Sequence, residues 1–276
     1  MKARLASAPV ALTAQDIGRA ATLALYDELA LSPKPGLVTL TDRGSHSDMD
    51  ARTFMRSLLA LRGYFVSIAE LGAAGAPFQA LERCGIEAEA RMLAATGGIN
   101  THRGAIFMLG LLCACAGALG RRGTPAELRE TLLARWGQAL SARAQRPSTL
   151  PGGIAARRLG LRSASEEAAL GFPTLFETAE PALRDARARG LASTPARLDT
   201  LFAVMAELDD SNLAHRGGLE GLRFAQAAAR DFLAAGGAAQ GLAAAHEVGA
   251  DFVRRCLSPG GAADTLAAAC WLERVC

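Results

Sequence analysis

The sequence lacks any run of like charges. Its 30 basic and 27 acidic residues leave a formal net charge of +3 and are scattered along the chain, without a basic or acidic tail. A basic stripe or tail is the usual electrostatic signature of general nucleic-acid binding. We therefore expect no nucleic-acid partner, although local groups of Arg and Lys remain able to hold phosphates.

Long apolar runs are also scarce. Residues 1–14 are interrupted by Ser7 and Pro9, unlike the apolar core of a secretory signal. The one long apolar run, residues 105–120, is shorter than the roughly 20 residues that cross a bilayer. We expect this run to form a buried helix, the protein to be cytoplasmic, and no membrane partner.

Cysteine motifs are missing as well. The chain has six cysteines, but no CxxC pair and no Cys and His cluster with the spacing of a zinc site. A cytoplasmic chain of this size needs no disulfide framework. Cys113 and Cys115 lie inside the apolar run, and we expect both to be buried thiols.

Alternating runs of β-branched residues, which indicate strands, do not occur either. Instead, segments rich in Ala and Leu alternate with short Gly, Pro, Ser and Asp punctuation. This pattern predicts an all-α fold, a single multi-helix domain over residues 1–276 whose active site is formed by inter-helix loops. Residues 1–12 are expected to be a flexible N-terminus.

Capping signals place several helix starts. Thr13 with Asp16, Asp50, Thr124 before Pro125, and Thr194 before Pro195 are predicted N-terminal caps. After Asp50, apolar residues recur at spacings of four and three, which makes one continuous apolar helix face. The predicted helices cover about residues 13–31, 51–68, 78–95, 104–119, 125–142, 166–170, 175–189, 195–207, 219–234, 242–256 and 262–274.

Polar residues concentrate in four loops, where function is expected. The first loop covers residues 32–38 and continues through residues 44–50. Pro33 and Pro35 stiffen the backbone around Lys34, so presenting its ammonium to a phosphate would cost less ordering entropy. An exposed helix-breaking turn is the alternative explanation.

The second loop, residues 96–104, leads into the apolar run. Its glycines allow close backbone approach, a helix N-terminus favours anions, and Asn100, His102 and Arg103 supply directed hydrogen bonds. The loop is not a P-loop, because the Gly-Lys-Ser/Thr ending is absent. A helix cap would explain the glycines and Asn100, but it explains His102 and Arg103 less well.

The third and fourth loops carry carboxylates. Residues 208–218 contain Asp209 and Asp210 at the predicted end of a helix, where paired negative charge favours a cation such as magnesium on substrate phosphates. A solvated helix C-terminus is the alternative. Residues 257–264 form another Gly-rich entry to a helix, and Asp264, in the first turn, can simply complement the helix dipole. Arg157, Arg158 and Arg162 can clamp phosphates, or form a surface cluster.

Five segments, in this order, resemble the triphosphoribosyl-dephospho-coenzyme A synthase family. The resemblance reaches from about residue 28 to the C-terminus. Any one segment is a weak signal, whereas five in order are specific. The segments are Pro33-Lys34-Pro35-Gly36-Leu37-Val38, Ser45-His46-Ser47-Asp48-Met49, Asn100-Thr101-His102-Arg103-Gly104-Ala105-Ile106-Phe107, Asp210-Ser211-Asn212-Leu213 with Arg216-Gly217-Gly218, and Ser258-Pro259-Gly260-Gly261-Ala262-Ala263-Asp264.

This resemblance implies a glycosyl transfer between ATP and 3'-dephospho-coenzyme A. The ribose 2'-hydroxyl of dephospho-coenzyme A attacks C1' of ATP, adenine leaves, and the triphosphate is retained. The product then passes to an acyl carrier protein modification system. We assign Asp209 and Asp210 to Mg²⁺, Lys34, Arg103 and Arg216 to phosphates, His46, Asn100 and His102 to nucleotide orientation, and Glu28, Asp48 and Asp264 to base or outer metal contacts.

Two features refine the resemblance. The segment from Gly160 to Pro173 is more similar to the branch that serves malonate decarboxylase than to the one that serves citrate lyase. Where the family is expected to carry Ser/Thr-His-Gly, this chain reads Thr149-Leu150-Pro151-Gly152, so a polar side chain is missing. A helical nucleotide or ADP-ribosyl hydrolase and a non-catalytic nucleotide-binding module remain alternatives, and a homo-oligomer remains open.

Overall fold

The computed structural model describes residues 11–276, and in that range it is all-α, as the sequence predicts. Of the predicted flexible N-terminus, residues 1–10 lie outside the described part. Ala11 pairs with Arg121, and the amide of Leu12 donates to the carbonyl of Gly120, so these two residues are fixed. The helices are α1 (Ala14–Ala30), α2 (Ala51–Ala73), α3 (Phe78–Thr96), α4 (Arg103–Leu119), α5 (Pro125–Ala144), α6 (Pro151–Leu159), α7 (Ala164–Ala169), α8 (Glu180–Ala188), α9 (Ser193–Glu207), α10 (Ser211–Ala234), α11 (Ala243–Arg254) and α12 (Gly260–Val275).

Side-chain caps begin several of these helices. Thr13 and Thr124 each form a capping box with the acidic residue three positions on, and Asp50 accepts from the amide of Thr53, all as predicted. The prediction that Thr194 caps a helix is wrong. Helix α9 begins at Ser193, with Ala192 at the cap position and no side-chain cap, because Pro195 fits inside the first turn where its missing N–H is no loss.

Helices α1, α2, α4 and α12 form the centre of the core. Gly72 of α2 lies against the backbone of Ala114, and Gly117 of α4 lies against the backbone of Ala69, so α2 and α4 approach closely where a Cβ would collide. Trp271 of α12 is fully buried, and its indole N–H donates to the carbonyl of Ile17 at 3.3 Å. These contacts fix the helices that carry the polar loops.

The apolar run at residues 105–120 is the buried helix α4, as expected. Cys113 and Cys115 are buried thiols within it, and burial raises the pKa of both. All six cysteines are free. Among the described residues, no helix is both long and apolar enough to cross a membrane.

Three segments differ from the predicted helices. Helix α6 was not predicted, although Pro151 suits a first helical position. Residues 174–179 form a π-helical turn before α8 instead of the start of one longer α-helix. Helix α10 begins at Ser211, eight residues before the predicted start, and is interrupted at Gly218, whose φ of 63° and ψ of −163° are non-helical. That glycine makes the break possible, and the sequence suggested a loop because of it.

Candidate functional site

A buried ion pair lies at the end of α1. Lys34 donates from Nζ to Oε1 of Glu28, and the two side chains are 0% and 6% exposed. Burial lowers the pKa of Lys34, while the negative charge of Glu28 acts in the opposite direction. The alternative explanation of this loop as an exposed turn is therefore wrong for Lys34. Since each charge neutralises the other, the pair presents no net charge to a ligand.

His102 lies next to this pair, just before α4. Its Nδ1 is 2.6 Å from Oγ of Ser57 in α2, and the hydroxyl of Thr101 donates to the same Oγ at 2.7 Å. Burial and the positive charge of Lys34 lower the pKa of His102 to about 3, so the imidazole is neutral at physiological pH. Its Nε2 is buried without a hydrogen-bond partner among the described residues.

Asp264, in the first turn of α12, faces the start of α4. A Cβ at Gly104 would overlap the Asp264 carboxylate, which receives a hydrogen bond from the amide of Ala105. Burial raises the pKa of Asp264 well above its usual range, and the negative charges of Glu28 and Asp210 raise it further. The structure therefore brings the candidate carboxylates Glu28 and Asp264 together, and the raised pKa of Asp264 favours its protonated form.

Asp210 follows the end of α9 at Glu207, as predicted, but it also has a role that the sequence did not predict. It is the N-cap of α10. Its Oδ1 accepts from the amides of Asn212 (2.8 Å) and Leu213 (3.3 Å), and its Oδ2 accepts from the amide of Ala262 (3.0 Å) at the start of α12. One carboxylate thus joins two helix N-termini, where the dipoles favour it.

The Asp209 and Asp210 pair does not fit a resident magnesium site. Asp210 is 1% exposed, and its carboxylate already accepts three backbone N–H groups, two at Oδ1 and one at Oδ2, which compete with a cation for the oxygen lone pairs. Within residues 11–276, no group of three or more His, Cys, Asp and Glu side chains is arranged to hold a metal ion. Asp209 is half-buried beside the cap.

A second polar group lies nearer the surface. Arg216 donates from Nη2 to Nδ1 of His46 at 3.1 Å, and Nε2 of His46 is 2.9 Å from the hydroxyl of Ser258. Burial and the charge of Arg216 lower the pKa of His46, against the opposing charge of Asp48 3.8 Å away. Arg216 is exposed and also donates to the carbonyl of Ser45 at 3.2 Å. Three of the five sequence segments therefore meet in this group.

The backbone holds these segments close together. Gly36 has a φ of 67°, and a Cβ there would overlap the carbonyl oxygen of Leu257. The amide of Ser45 donates to the carbonyl of Gly36 at 3.1 Å. Gly260 leaves no room for a Cβ beside the side-chain amide of Asn212. The glycines of these loops are thus needed for contact between segments.

Arg103 and Asn100 have structural partners of their own. Arg103 pairs with Glu89 of α3, with 2.5 Å between Nε and Oε1. Asn100 accepts from the amide of Arg103 at 3.2 Å, as the helix-cap alternative predicts. These two predicted site residues therefore share the loop of His102, but their recorded contacts stabilise the start of α4.

The loop at residues 149–152, which lacks the expected Ser/Thr-His-Gly element, also lies next to the site. Gly152, near the start of α6, lies where a Cβ would be 3.0 Å from the hydroxyl of Ser211, next to the Asp210 cap.

The basic segment that follows lies at the surface. Arg157 and Arg158 are exposed, and Arg162 pairs with Glu167 at 3.0 Å. The surface-cluster alternative fits this basic segment.

Ser57 and Ser258 take part in these contacts but were not predicted as site residues. Ser57 is fully buried in α2, one turn after Thr53 on the face that includes Phe54, Leu58 and Leu61. A serine on an otherwise apolar helix face is a signal, because a buried hydroxyl needs a hydrogen-bond partner. Ser258 belongs to a segment that the sequence singled out, but its contact with His46 is a tertiary one.

Comparisons with known proteins agree on one family. The family model described as ATP:dephospho-CoA triphosphoribosyl transferase matches residues 14–276. A protein of Azotobacter vinelandii named probable 2-(5''-triphosphoribosyl)-3'-dephosphocoenzyme-A synthase is 42% identical over 100% of this chain and 96% of its own length. The Klebsiella pneumoniae 2-(5''-triphosphoribosyl)-3'-dephosphocoenzyme-A synthase is 40% identical over 94% of each chain. No solved structure matches this chain.

Proposed function

The chain belongs to the ATP:dephospho-CoA triphosphoribosyl transferase family, and we propose that it transfers the triphosphoribosyl group of ATP to 3'-dephospho-coenzyme A. In this reaction the bond from C1' to the adenine nitrogen breaks and a bond from the 2'-hydroxyl oxygen of dephospho-coenzyme A to C1' forms. The observation that supports the proposal is that the five sequence segments share two adjoining groups: Lys34, His102, Asp210 and Asp264 around Glu28, and His46, Arg216 and Ser258 nearer the surface.

Adenine needs a proton as it leaves, and Asp264 is our candidate for the donor. Its pKa is raised by burial and by two neighbouring carboxylates, so it holds a proton under conditions where an exposed carboxyl does not. Gly104 leaves room for that side chain at the start of α4. General acid catalysis of this kind contributes typically 10²–10⁴-fold to a rate.

The incoming hydroxyl loses a proton, and Glu28 is our candidate acceptor. It lies within electrostatic range of Asp264, and Lys34 holds it in place. A carboxylate there also stabilises the positive charge that develops at C1' in an oxocarbenium-like transition state. Asp48 is the less favoured candidate, because its side chain is 58% exposed beside His46.

The phosphates of ATP fit better at the surface group than at Lys34. Arg216 is exposed and its guanidinium is not paired with a carboxylate in the described structure, whereas Arg103 is paired with Glu89 and Lys34 with Glu28. We therefore propose Arg216 and His46 for the triphosphate, and Lys34 for the ribose. Magnesium belongs to this proposal only as the counter-ion that ATP brings, and not as an ion held by Asp209 and Asp210.

We further propose that the product serves the acyl carrier subunit of a malonate decarboxylase, on the resemblance of the segment from Gly160 to Pro173. The relatives named above do not distinguish this branch from the citrate lyase branch. The test offers the purified product and its transferase to both apo carrier subunits. Modification of the malonate decarboxylase subunit alone supports the proposal, and modification of the citrate lyase subunit alone contradicts it.

The central experiment incubates pure protein with ATP and magnesium, with and without 3'-dephospho-coenzyme A, and identifies the products by mass. Adenine and the triphosphoribosyl adduct are expected only in the presence of the acceptor. Adenine or phosphate release without it would favour a nucleotide hydrolase, and binding without turnover would favour a binding module. Asp264→Asn is expected to lose at least 100-fold in turnover, whereas the exposed control Asp185→Asn, at 70% side-chain exposure, is expected to keep full activity.

A further inference from the structure

Nε2 of the His102 imidazole is buried and has no hydrogen-bond partner within residues 11–276. Its Nδ1 meets Ser57, but Nε2 makes no hydrogen bond to any described residue, although the residue is only 3% exposed. An unpaired buried polar atom costs about 1–3 kcal/mol, so its presence calls for an explanation. The simplest explanation is that a ligand supplies the missing partner.

The hydroxyl groups of Ser57 and Thr101 indicate whether the ligand atom at Nε2 of His102 is a hydrogen-bond donor or an acceptor. Oγ of Ser57 accepts from the hydroxyl of Thr101 and lies 2.6 Å from Nδ1 of His102, and in the proposed arrangement the Ser57 hydroxyl donates its own proton to Nδ1. A neutral imidazole that accepts at Nδ1 carries its proton at Nε2. His102 therefore presents an N–H donor, and its missing partner is a hydrogen-bond acceptor.

The charges around His102 indicate whether the acceptor atom of the ligand is charged or uncharged. His102 is neutral, the Lys34 and Glu28 pair carries no net charge, and Arg103, the next residue along the chain, is paired with Glu89. Within residues 11–276, these groups around His102 supply no net positive charge to balance a triphosphate. The acceptor is therefore an uncharged atom.

The apolar surroundings of His102 favour a flat heteroaromatic ring. Phe54 packs edge-on against the imidazole, with ring centroids 4.9 Å apart. Phe54 also belongs to a small apolar cluster with Leu29, Val38 and Met49, which is separate from the main core. Sites for uncharged rings are typically apolar with a few directed polar groups.

We propose that Ser57 is a positioning residue that, with Thr101, fixes the His102 tautomer so that Nε2–H binds a ring nitrogen of adenine in ATP. This inference rests on the proposed function for the identity of the nucleotide. Ser57 touches no substrate and acts only through His102. The arrangement would recognise the base that leaves in the reaction and keep it oriented for protonation.

The test combines a spectroscopic measurement with ligand binding, neither of which requires turnover. ¹⁵N chemical shifts of labelled histidine, assigned with His102→Gln, distinguish the Nε2–H tautomer from the Nδ1–H tautomer. Adenosine and inorganic tripolyphosphate serve as separate probes of the base and phosphate positions. Ser57→Ala removes the hydroxyl, Thr101→Val removes its donor, Thr101→Ser keeps that donor, and Ser141→Ala on the exposed side of α5 is the matched control.

The wild type is expected to show the Nε2–H tautomer for His102, and Ser57→Ala is expected to lose it. Ser57→Ala should weaken adenosine binding about tenfold, the equivalent of one hydrogen bond, and leave tripolyphosphate binding unchanged. Thr101→Val should weaken adenosine binding less, and Thr101→Ser and Ser141→Ala should match the wild type. An Nδ1–H tautomer in the wild type, or equal losses for both probes, would overturn the inference. Failure of the wild type to release adenine would instead count against the proposed function.

Discussion

Replacement of His102 by Gln is expected to change how stability depends on pH. The folded-state pKa of His102 is lowered from 6.5 to about 3 by burial and by Lys34. As the pH falls below about 6.5, the unfolded chain takes up a proton that the folded protein excludes, so stability is lost by about 1.4 kcal/mol per pH unit. The loss continues until the pH approaches the folded-state pKa.

Between about pH 7 and pH 5 this linkage amounts to roughly 2 kcal/mol. Urea unfolding at both pH values gives the free energy of unfolding of wild type and variant. The wild type should lose about 2 kcal/mol more than His102→Gln over this interval, because only the wild type carries the buried imidazole. His215→Gln, a variant of an exposed histidine, is the control and should follow the wild type. Parallel pH profiles for wild type and His102→Gln would show that the buried imidazole does not cause this loss of stability.

Three further predictions follow from the same contacts. Because the raised pKa of Asp264 makes the folded state bind a proton more tightly than the unfolded chain does, stability falls as the pH rises above about 3.8, the ordinary value. Thermal melts should therefore show Asp264→Asn gaining stability relative to the wild type as the pH rises from 4 to 8, and a constant difference would contradict this. Asp210→Ala should lose about 2–4 kcal/mol in denaturant unfolding, since two helix N-termini lose their acceptor, whereas Asp209→Ala should lose less than about 1 kcal/mol; equal losses would refute the capping role. Gly36→Ala should destabilise the fold more than Gly160→Ala, which has a similar φ of 66° but open space around its Cβ position; a loss no larger than about 1–2 kcal/mol for both would show that the loops around Gly36 can separate.

The sequence predicted the helices well where local signals decide them. The capping residues Thr13, Asp50 and Thr124 begin helices as expected, because each signal depends on backbone N–H groups within one turn. Helix α10 was placed too late, since Gly217 and Gly218 suggested a loop. In the structure, the Asp210 cap and packing against neighbouring helices maintain the helix through a local break.

The sequence predicted several residues of the site, but it did not predict how those residues contact one another. The five segments contain Lys34, His102 and Asp264, but their sequence positions do not reveal that Lys34 pairs with Glu28 or that Asp264 faces Gly104. Such contacts depend on how α1, α4 and α12 pack. For the same reason, two neighbouring aspartates looked like a metal site, although Asp210 binds backbone amides from two helices.

The proposed transfer is tested most directly by the dependence of adenine release on 3'-dephospho-coenzyme A, measured with the purified wild-type protein, ATP and magnesium. Adenine and the triphosphoribosyl adduct of dephospho-coenzyme A should form in equal amounts, and neither should form when the acceptor is left out. Adenine release at the same rate without the acceptor, or phosphate release in its place, would contradict the proposed transfer.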